Sequence, residues 1–262
     1  LNSFLECNGK AAPVIYCSID GFPDAKNNRM TGLDASAQAC TGLAYTNCAS
    51  PETPMKIGVP LLDITTGLLA ANYVLSNIVL LNQATLPPST KQVIRIAVSL
   101  VGTAVWLQAN QFLEAMSGRE YFRIGNRDKY AAPFSYYTAK DGLISIATVN
   151  ETQFQKFCLH VLKNPDFYSR FSNVQKRIQE QDAFEKELNS LLIQEDKSVW
   201  LERCNEIDIP AAPVLTVTQA LEQNFMKSLI SSSTDNQPII THGAQHSFFE
   251  KKMPRPAPSL GQ

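Results

Sequence analysis

The sequence predicts an α/β fold in two parts, a larger α/β domain followed by a smaller α+β domain. Apolar, β-branched runs alternate with small-residue segments of helical period up to about residue 118. Beyond Gly118 the chain turns polar, aromatic and irregular, then densely charged at helical spacing. A chain of 262 residues has room for one large domain or two modest ones.

Each element follows from local chemistry. "PVIYCSI" (13–19) is an apolar run closed by Gly21 and reads as a buried strand. "DGFPDAKNNRMTG" (20–32) is rich in turn formers, and "LDASAQACTGLAY" (33–45) has helical spacing with Asp34 placed to cap it. After "TNCASPETP" a short strand is expected near 56–61, then a helix over 64–82. "LPPSTKQ" breaks the chain, and 92–118 begins strand-like, becomes helical and meets Gly118 as its C-terminal stop. "REYFRIGNRDKYAAPFSYY" reads as irregular, "GLISIATV" (142–149) as a strand, and "ETQFQKFCLHVLKN" as an amphipathic helix ending before Pro165. Helices fill 172–206, "NEIDIPAAPVLTVTQALE" gives a strand and a helix, and the last thirty-odd residues read as extended.

Composition narrows the function. With 44% hydrophobic and 18% charged residues and a formal net charge of −1, the chain lacks the basic surface that nucleic acid or an anionic membrane demands. Its longest apolar stretches, Gly67–Leu81 and Val93–Leu107, fall short of the roughly 20 apolar residues of a membrane span. Cys7, Cys17, Cys40, Cys48, Cys158 and Cys204 have no CxxC spacing, which argues against a zinc site and for reduced thiols in the cytoplasm. His242 and His246 stand four apart but without acidic companions, and His160 lies in an amphipathic helix, so no metal site is expected.

Carboxylates remain. "KIGVPLLDITTGLL" (56–69) sets Asp63 between an apolar run and a helical one. By local pattern Asp63 caps that helix. A carboxylate is also a nucleophile that needs no histidine partner, given a dry pocket, N–H donors for the oxyanion and small neighbours. Leu61 and Leu62 offer apolar walls, and Thr65, Thr66 and Gly67 open the helix.

Six segments then follow in order: "VIYCSIDGF", "GLDASAQACTGL", "KIGVPLLDITTGLLAA", "YFRIGNRDKYAAPFSYYTAKDGLISIA", "EIDIPAAPVLTVTQAL" and "RPAPSLGQ". Across nearly the whole chain this order resembles the class III CoA-transferase family, the group of formyl-CoA and carnitine CoA-transferases and of α-methylacyl-CoA racemase. The resemblance implies part of a Rossmann-like large domain plus a smaller α+β domain, in a homodimer of interlocked rings. Its segments would be 1–118 (large domain with the catalytic Asp and linking helix), 119–225 (small domain) and 226–262 (a return toward the large domain). An N-terminal Rossmann portion and a C-terminal tail of the family are not matched, so the chain reads as an internal fragment.

The resemblance further implies transfer of CoA between an acyl-CoA thioester and a carboxylic acid. Asp63, the acid of the family's "GVPxxDxxxG" segment, is the implied nucleophile and forms a mixed anhydride. Asp34, Gln38, Gly67, Gly125 and Asn126 are the implied substrate or CoA-site residues, with Arg29 and Arg127 nearby in loops. CoA enters as substrate, with no tightly bound cofactor and no metal. The cytoplasm is the expected compartment, and mitochondria or peroxisomes are compatible with it. Two alternatives stand beside this one. The first is an acyl-CoA racemase or isomerase acting at the α-carbon. Leu33 opposes it, because the racemase has histidine there and leucine cannot exchange a proton. The second is a truncated, non-catalytic family member.

Overall fold

A computed structural model describes residues 6–7, 10–11, 14–23, 31–47, 52–83, 93–119, 125–232 and 238–240. The chain divides into two compact units, residues 1–129 and 130–262.

In the first unit β1 (Glu6–Cys7) and β2 (Lys10–Ala11) form a short antiparallel pair. The principal strand is β3 (Val14–Asp20), followed by α1 (Asp34–Cys40), α2 (Leu43–Thr46) and α3 (Leu61–Gln83). β4 (Val93–Ser99), α4 (Leu100–Leu107) and α5 (Ala109–Met116) complete it. β3 and β4 pair in parallel from Val14 opposite Val93 to Asp20 opposite Ser99, and α3 packs on both.

Two small apolar clusters hold this unit. One joins Ala37, Leu43, Leu62, Leu100 and Ala104; the other joins Ala70, Ile96 and Val98. Polar ties supplement them. The Thr66 hydroxyl donates to Thr103 at 2.9 Å, Gln108 Nε2 donates to the Thr41 carbonyl at 3.3 Å, and Ser99 Oγ caps α4 by accepting from Gly102 N. The helix expected over 33–45 is divided at Gly42, whose φ of 77° suits glycine and ends α1. The strand expected near 56–61 is absent: the segment runs without a ladder partner to Pro60, which carries no N–H, and Leu61 already starts α3. At 23 residues α3 also exceeds the apolar stretch read from sequence and is long and apolar enough to cross a membrane by length and composition. Its buried residues, Leu62, Thr66 and Ala70, lie in its first half.

The end of β3 approaches the start of α1 at two glycines. A Cβ on Gly21 would lie 2.2 Å from the Gly32 Cα, and one on Gly32 would lie 2.1 Å from the Gly21 Cα. Just beyond, Val101 N donates to the Gly21 carbonyl at 3.1 Å, tying this crossing to α4.

The second unit begins with β5 (Phe134–Ala139) and β6 (Gly142–Ala147). Then come α6 (Glu151–Lys156), a π-helical turn (Phe157–Val161), α7 (Pro165–Phe171), α8 (Val174–Gln179), α9 (Gln181–Leu192) and α10 (Lys197–Asn205). β7 (Ala211–Pro213), α11 (Val217–Leu221), a 3-10 turn (Asn224–Ser228) and the pair β8 (Ile230–Ser232) and β9 (Pro238–Ile240) follow. The sheet order is β5-β6-β7, antiparallel throughout. β5 falls in a stretch the sequence reading left irregular. Its pleat buries Ser135, Tyr137 and Ala139 and exposes Phe134 and Tyr136, so aromatic residues stand on both faces. Of the extended segment expected over 226–262, the start lies in the 3-10 turn and β8 and β9 form an antiparallel pair, while 233–237 and 241–262 lie outside the described residues.

This unit has one dense core. Phe154, Phe157, Phe167, Phe171 and Phe184 pack with Leu188, Leu192 and Trp200, and the Phe167–Phe171 centroids stand 5.0 Å apart. The π-helical turn turns Phe157, Cys158 and Val161 all inward. Arg177 is buried beside them: its guanidinium lies 3.8 Å from the Phe154 ring centroid, donates to the carbonyls of Ala132 and Phe171, and pairs with Glu151 at 3.0 Å. Every polar hydrogen of a buried cation needs such a partner.

Two outcomes are expected. Gly32→Ala forces the backbone apart at the glycine crossing and costs about 3 kcal/mol, read as a lowered urea midpoint of the first unit. Burial pushes the thiols of Cys158 and Cys204 up to about 12, with Arg177 partly opposing the shift at Cys158. The folded unit therefore keeps these protons to higher pH than the unfolded chain does. That stabilisation is complete below the ordinary thiol range and fades as pH climbs from there toward about 12. Urea titrations of the second unit across that range should show the loss, and a Cys158→Ala/Cys204→Ala variant should flatten it.

Candidate active site

The site grows from the way one helix end is satisfied. Leu33 is extended, with φ −123° and ψ 154°, and Asp34 is the first residue of α1. Asp34 makes no capping bond to its own helix. Instead its Oδ2 reaches α3 and accepts from Leu62 N at 2.7 Å and from Asp63 N at 3.1 Å. Its Oδ1 accepts from Gln38 Nε2 at 2.5 Å, one turn along α1. Gln38 Oε1 in turn accepts from Ile57 N at 2.8 Å, in the segment leading into α3.

The start of α3 can be accounted for completely. Pro60 has no N–H, Leu61 N donates to the Val59 carbonyl at 2.8 Å, and Leu62 N and Asp63 N donate to Asp34. Ile64 N then begins the helical ladder on the Pro60 carbonyl at 3.1 Å. Asp63 is therefore not the cap that local pattern suggested. The capping carboxylate comes from Asp34, and the N–H groups of the first turn of α3 are already engaged. Leu62 is fully buried and so is core rather than pocket wall. The hydroxyls of Thr65 and Thr66 are likewise used inside the protein, on the Leu61 carbonyl and on Thr103.

Asp63 itself is exposed in the first turn of α3, and no described residue donates to its carboxylate. Gly67 follows one turn later on the same face, and a Cβ there would meet nothing within 4 Å. Asp63 thus combines an open approach, the positive end of a long helix, and backbone geometry fixed from another helix. That arrangement suits a carboxylate acting as nucleophile or as base.

The structure brings Asp34, Gln38, Asp63 and Gly67 together. Gly125 (φ 61°) and Asn126 lie in a turn of the first unit, and no hydrogen bond among the described residues joins them to this group. Arg127 is half-buried in the same turn, while Arg29, His242 and His246 lie outside the described residues. Among the described residues no three His, Cys, Asp or Glu side chains are grouped to hold a metal ion. Sequence reasoning also missed a cavity of about 420 Å³ past the far end of α1, lined by Thr41, Tyr45, Thr46, Gln108, Phe112 and Arg119. The signal for it was weak, because only the break at Gly42 marks that end.

Comparison with known proteins places this geometry in a family. The family model for CoA-transferase family III matches residues 4–262. Succinyl-CoA:glutarate CoA-transferase of Mus musculus is 24% identical over 97% of this chain and 59% of its own length. Acetyl-CoA:oxalate CoA-transferase of Acetobacter aceti is 26% identical over 84% of this chain and 57% of its own length. A CAIB/BAIF family protein from Brucella suis superposes with a TM-score of 0.76 at 25% identity, over 94% of this chain and 65% of that one. The chain thus spans a little under three fifths of the length of these curated relatives. With the family model matched from residue 4 to the end and the fold shared with a CAIB/BAIF protein, the chain belongs to CoA-transferase family III.

Proposed function

We propose that the protein transfers CoA between an acyl-CoA thioester and a carboxylic acid, with Asp63 as the nucleophile. The observation that carries this reading is the exposed Asp63 carboxylate, without a partner among the described residues and beside the open face at Gly67, in a chain of CoA-transferase family III. An Asp63 oxygen attacks the thioester carbonyl; the carbon–sulfur bond breaks and CoA leaves as thiolate. The thiolate then attacks the aspartyl carbonyl of the mixed anhydride, releases the donor acid as its carboxylate and leaves CoA bound to Asp63 as a thioester. The acceptor carboxylate reverses these steps, forming its own anhydride with Asp63 while thiolate departs, and the thiolate finally takes the acceptor acyl group. Asp63 is regenerated.

The local chemistry bears on these steps in several ways. An Asp at a helix start carries its negative charge where the dipole favours it. The adjacent Asp34 has its oxygens committed to Gln38 and to α3, so the two carboxylates have different work. Oxyanion donors must come from a segment other than the first turn of α3, whose N–H groups are used. Leu33 supplies no proton-transfer group in front of Asp34, which disfavours acid–base chemistry at an α-carbon.

The names of the relatives point to the substrate class. Glutarate and oxalate are dicarboxylates, and we extend that class to this protein's acceptors. A homodimer belongs to the same reading and is supported by the exposed apolar side chains of α3, among them Leu68, Leu75 and Leu80. A reducing, cytoplasmic setting is supported by the free thiols of Cys17, Cys40, Cys158 and Cys204.

Asp63→Ala should lower turnover by at least about 10³-fold. Hydroxylamine added with an acyl-CoA should convert Asp63 to its hydroxamate, seen by mass spectrometry of the tryptic peptide. Undiminished turnover in the variant, with no hydroxamate on that peptide, would sink the reading. In an acceptor series, short dicarboxylates should exceed monocarboxylates of equal length by about tenfold or more in kcat/KM; equal values would remove the dicarboxylate assignment alone.

A further inference from the structure

Gln38 is 1% exposed, on the inner face of α1 beside the fully buried Ala37. Both ends of its amide are engaged within the protein, Nε2 on Asp34 and Oε1 on Ile57 N. It is therefore poorly placed to touch a substrate. What it does is complete a relay: the backbone at Ile57, the Gln38 amide, the Asp34 carboxylate, and the N–H groups of Leu62 and Asp63. Asp34 is only half-buried, so its side chain has room to turn to water. The Gln38 donor holds Oδ1 in place, which leaves Oδ2 aimed at α3. Ile57 N fixes Gln38 from the opposite side, and the packing of Ala37 against Leu62, Leu100 and Ala104 fixes α1 itself.

We propose that Gln38 is a positioning residue for acyl transfer, acting through Asp34 to hold the backbone of Asp63 where its carboxylate meets the thioester. The proposal rests on the reading of Asp63 as nucleophile. A misplacement of about 1 Å at a reacting group can cost about 10²-fold in rate. The relay removes that freedom without contacting substrate.

Gln38→Met keeps the volume and loses both hydrogen bonds; Asp34→Asn, at a less buried position, keeps an acceptor for α3 and loses the charge. Each should lower kcat by about 10- to 100-fold, counted per site that forms the hydroxylamine-trapped adduct, with KM for acyl-CoA within about twofold. The double variant should be no worse than the poorer single one, because both changes break one relay. Hydrogen exchange of the peptide holding Leu62 and Asp63 should quicken about tenfold in both singles, ahead of neighbouring helices.

Multiplying losses in the double variant would overturn the proposal. So would a raised KM at unchanged kcat, the mark of a substrate contact. So would full kcat per adduct-forming site with fewer such sites, the mark of a purely structural role. If Gln38→Met keeps wild-type kcat while Asp63→Ala is inactive, this proposal alone fails. If Asp63→Ala is itself fully active, the nucleophile reading fails and takes this one with it.

Discussion

One carboxylate governs the first unit. Asp34 satisfies two N–H groups that α3 cannot satisfy itself, and it does so from a different helix. A side-chain cap from within the sequence neighbourhood stabilises one helix. A cap from across the fold also sets where that helix stands relative to another. Because Gln38 and Ile57 extend the contact, the angle of α1, the path into α3 and the first turn of α3 are one connected object. The pairing also sets two nearby acids apart: Asp34 is bonded to Gln38 and to α3, and among the described residues nothing donates to the Asp63 carboxylate.

The two units are stabilised by different means. The second unit has a continuous core of aromatic and aliphatic residues, with Arg177 drawn inside because backbone carbonyls, Glu151 and the Phe154 ring replace its water. Among its described residues the first has two small clusters, so ties such as Thr66–Thr103 and Gln108–Thr41 carry a larger share. Net hydrogen-bond contributions of about 1 kcal/mol each matter more where apolar burial is scarce. A site that depends on a few well-placed polar contacts fits the unit where such contacts hold the fold.

Much of this was legible from residue order. β3, β6 and the start of the helical run at 151 follow from period and punctuation, and α3 departs from its expected bounds by only a few residues. The failures have specific causes. The run before Pro60 has strand-like residues but no partner strand, which sequence periodicity does not report. β5 hides because Ser135 and Ala139 share the inward face with Tyr137 while Phe134 and Tyr136 face out, which blurs the usual contrast. The cap of α3 was assigned to Asp63 because propensity sees only near neighbours, whereas the true partner stands 28 and 29 residues upstream of the donors. Gln38 looked like either a packed helix residue or a site residue. Its amide is buried and bonded at both ends, to Asp34 and to Ile57 N, which local sequence pattern does not report.

The glycine crossing sets a limit on how this protein can change. Two residues that press backbone to backbone usually trade size, one growing as the other shrinks. Gly21 and Gly32 have nothing left to give, since each is already the smallest residue and a Cβ on either would meet the other's Cα rather than a side chain. No second-site change at the partner can then rescue a substitution at either one. In a mutational scan these two positions would tolerate as little as the proposed nucleophile Asp63, for reasons of space alone. Intolerance near Asp34 is thus an unsafe guide to chemistry unless folding is scored separately from turnover.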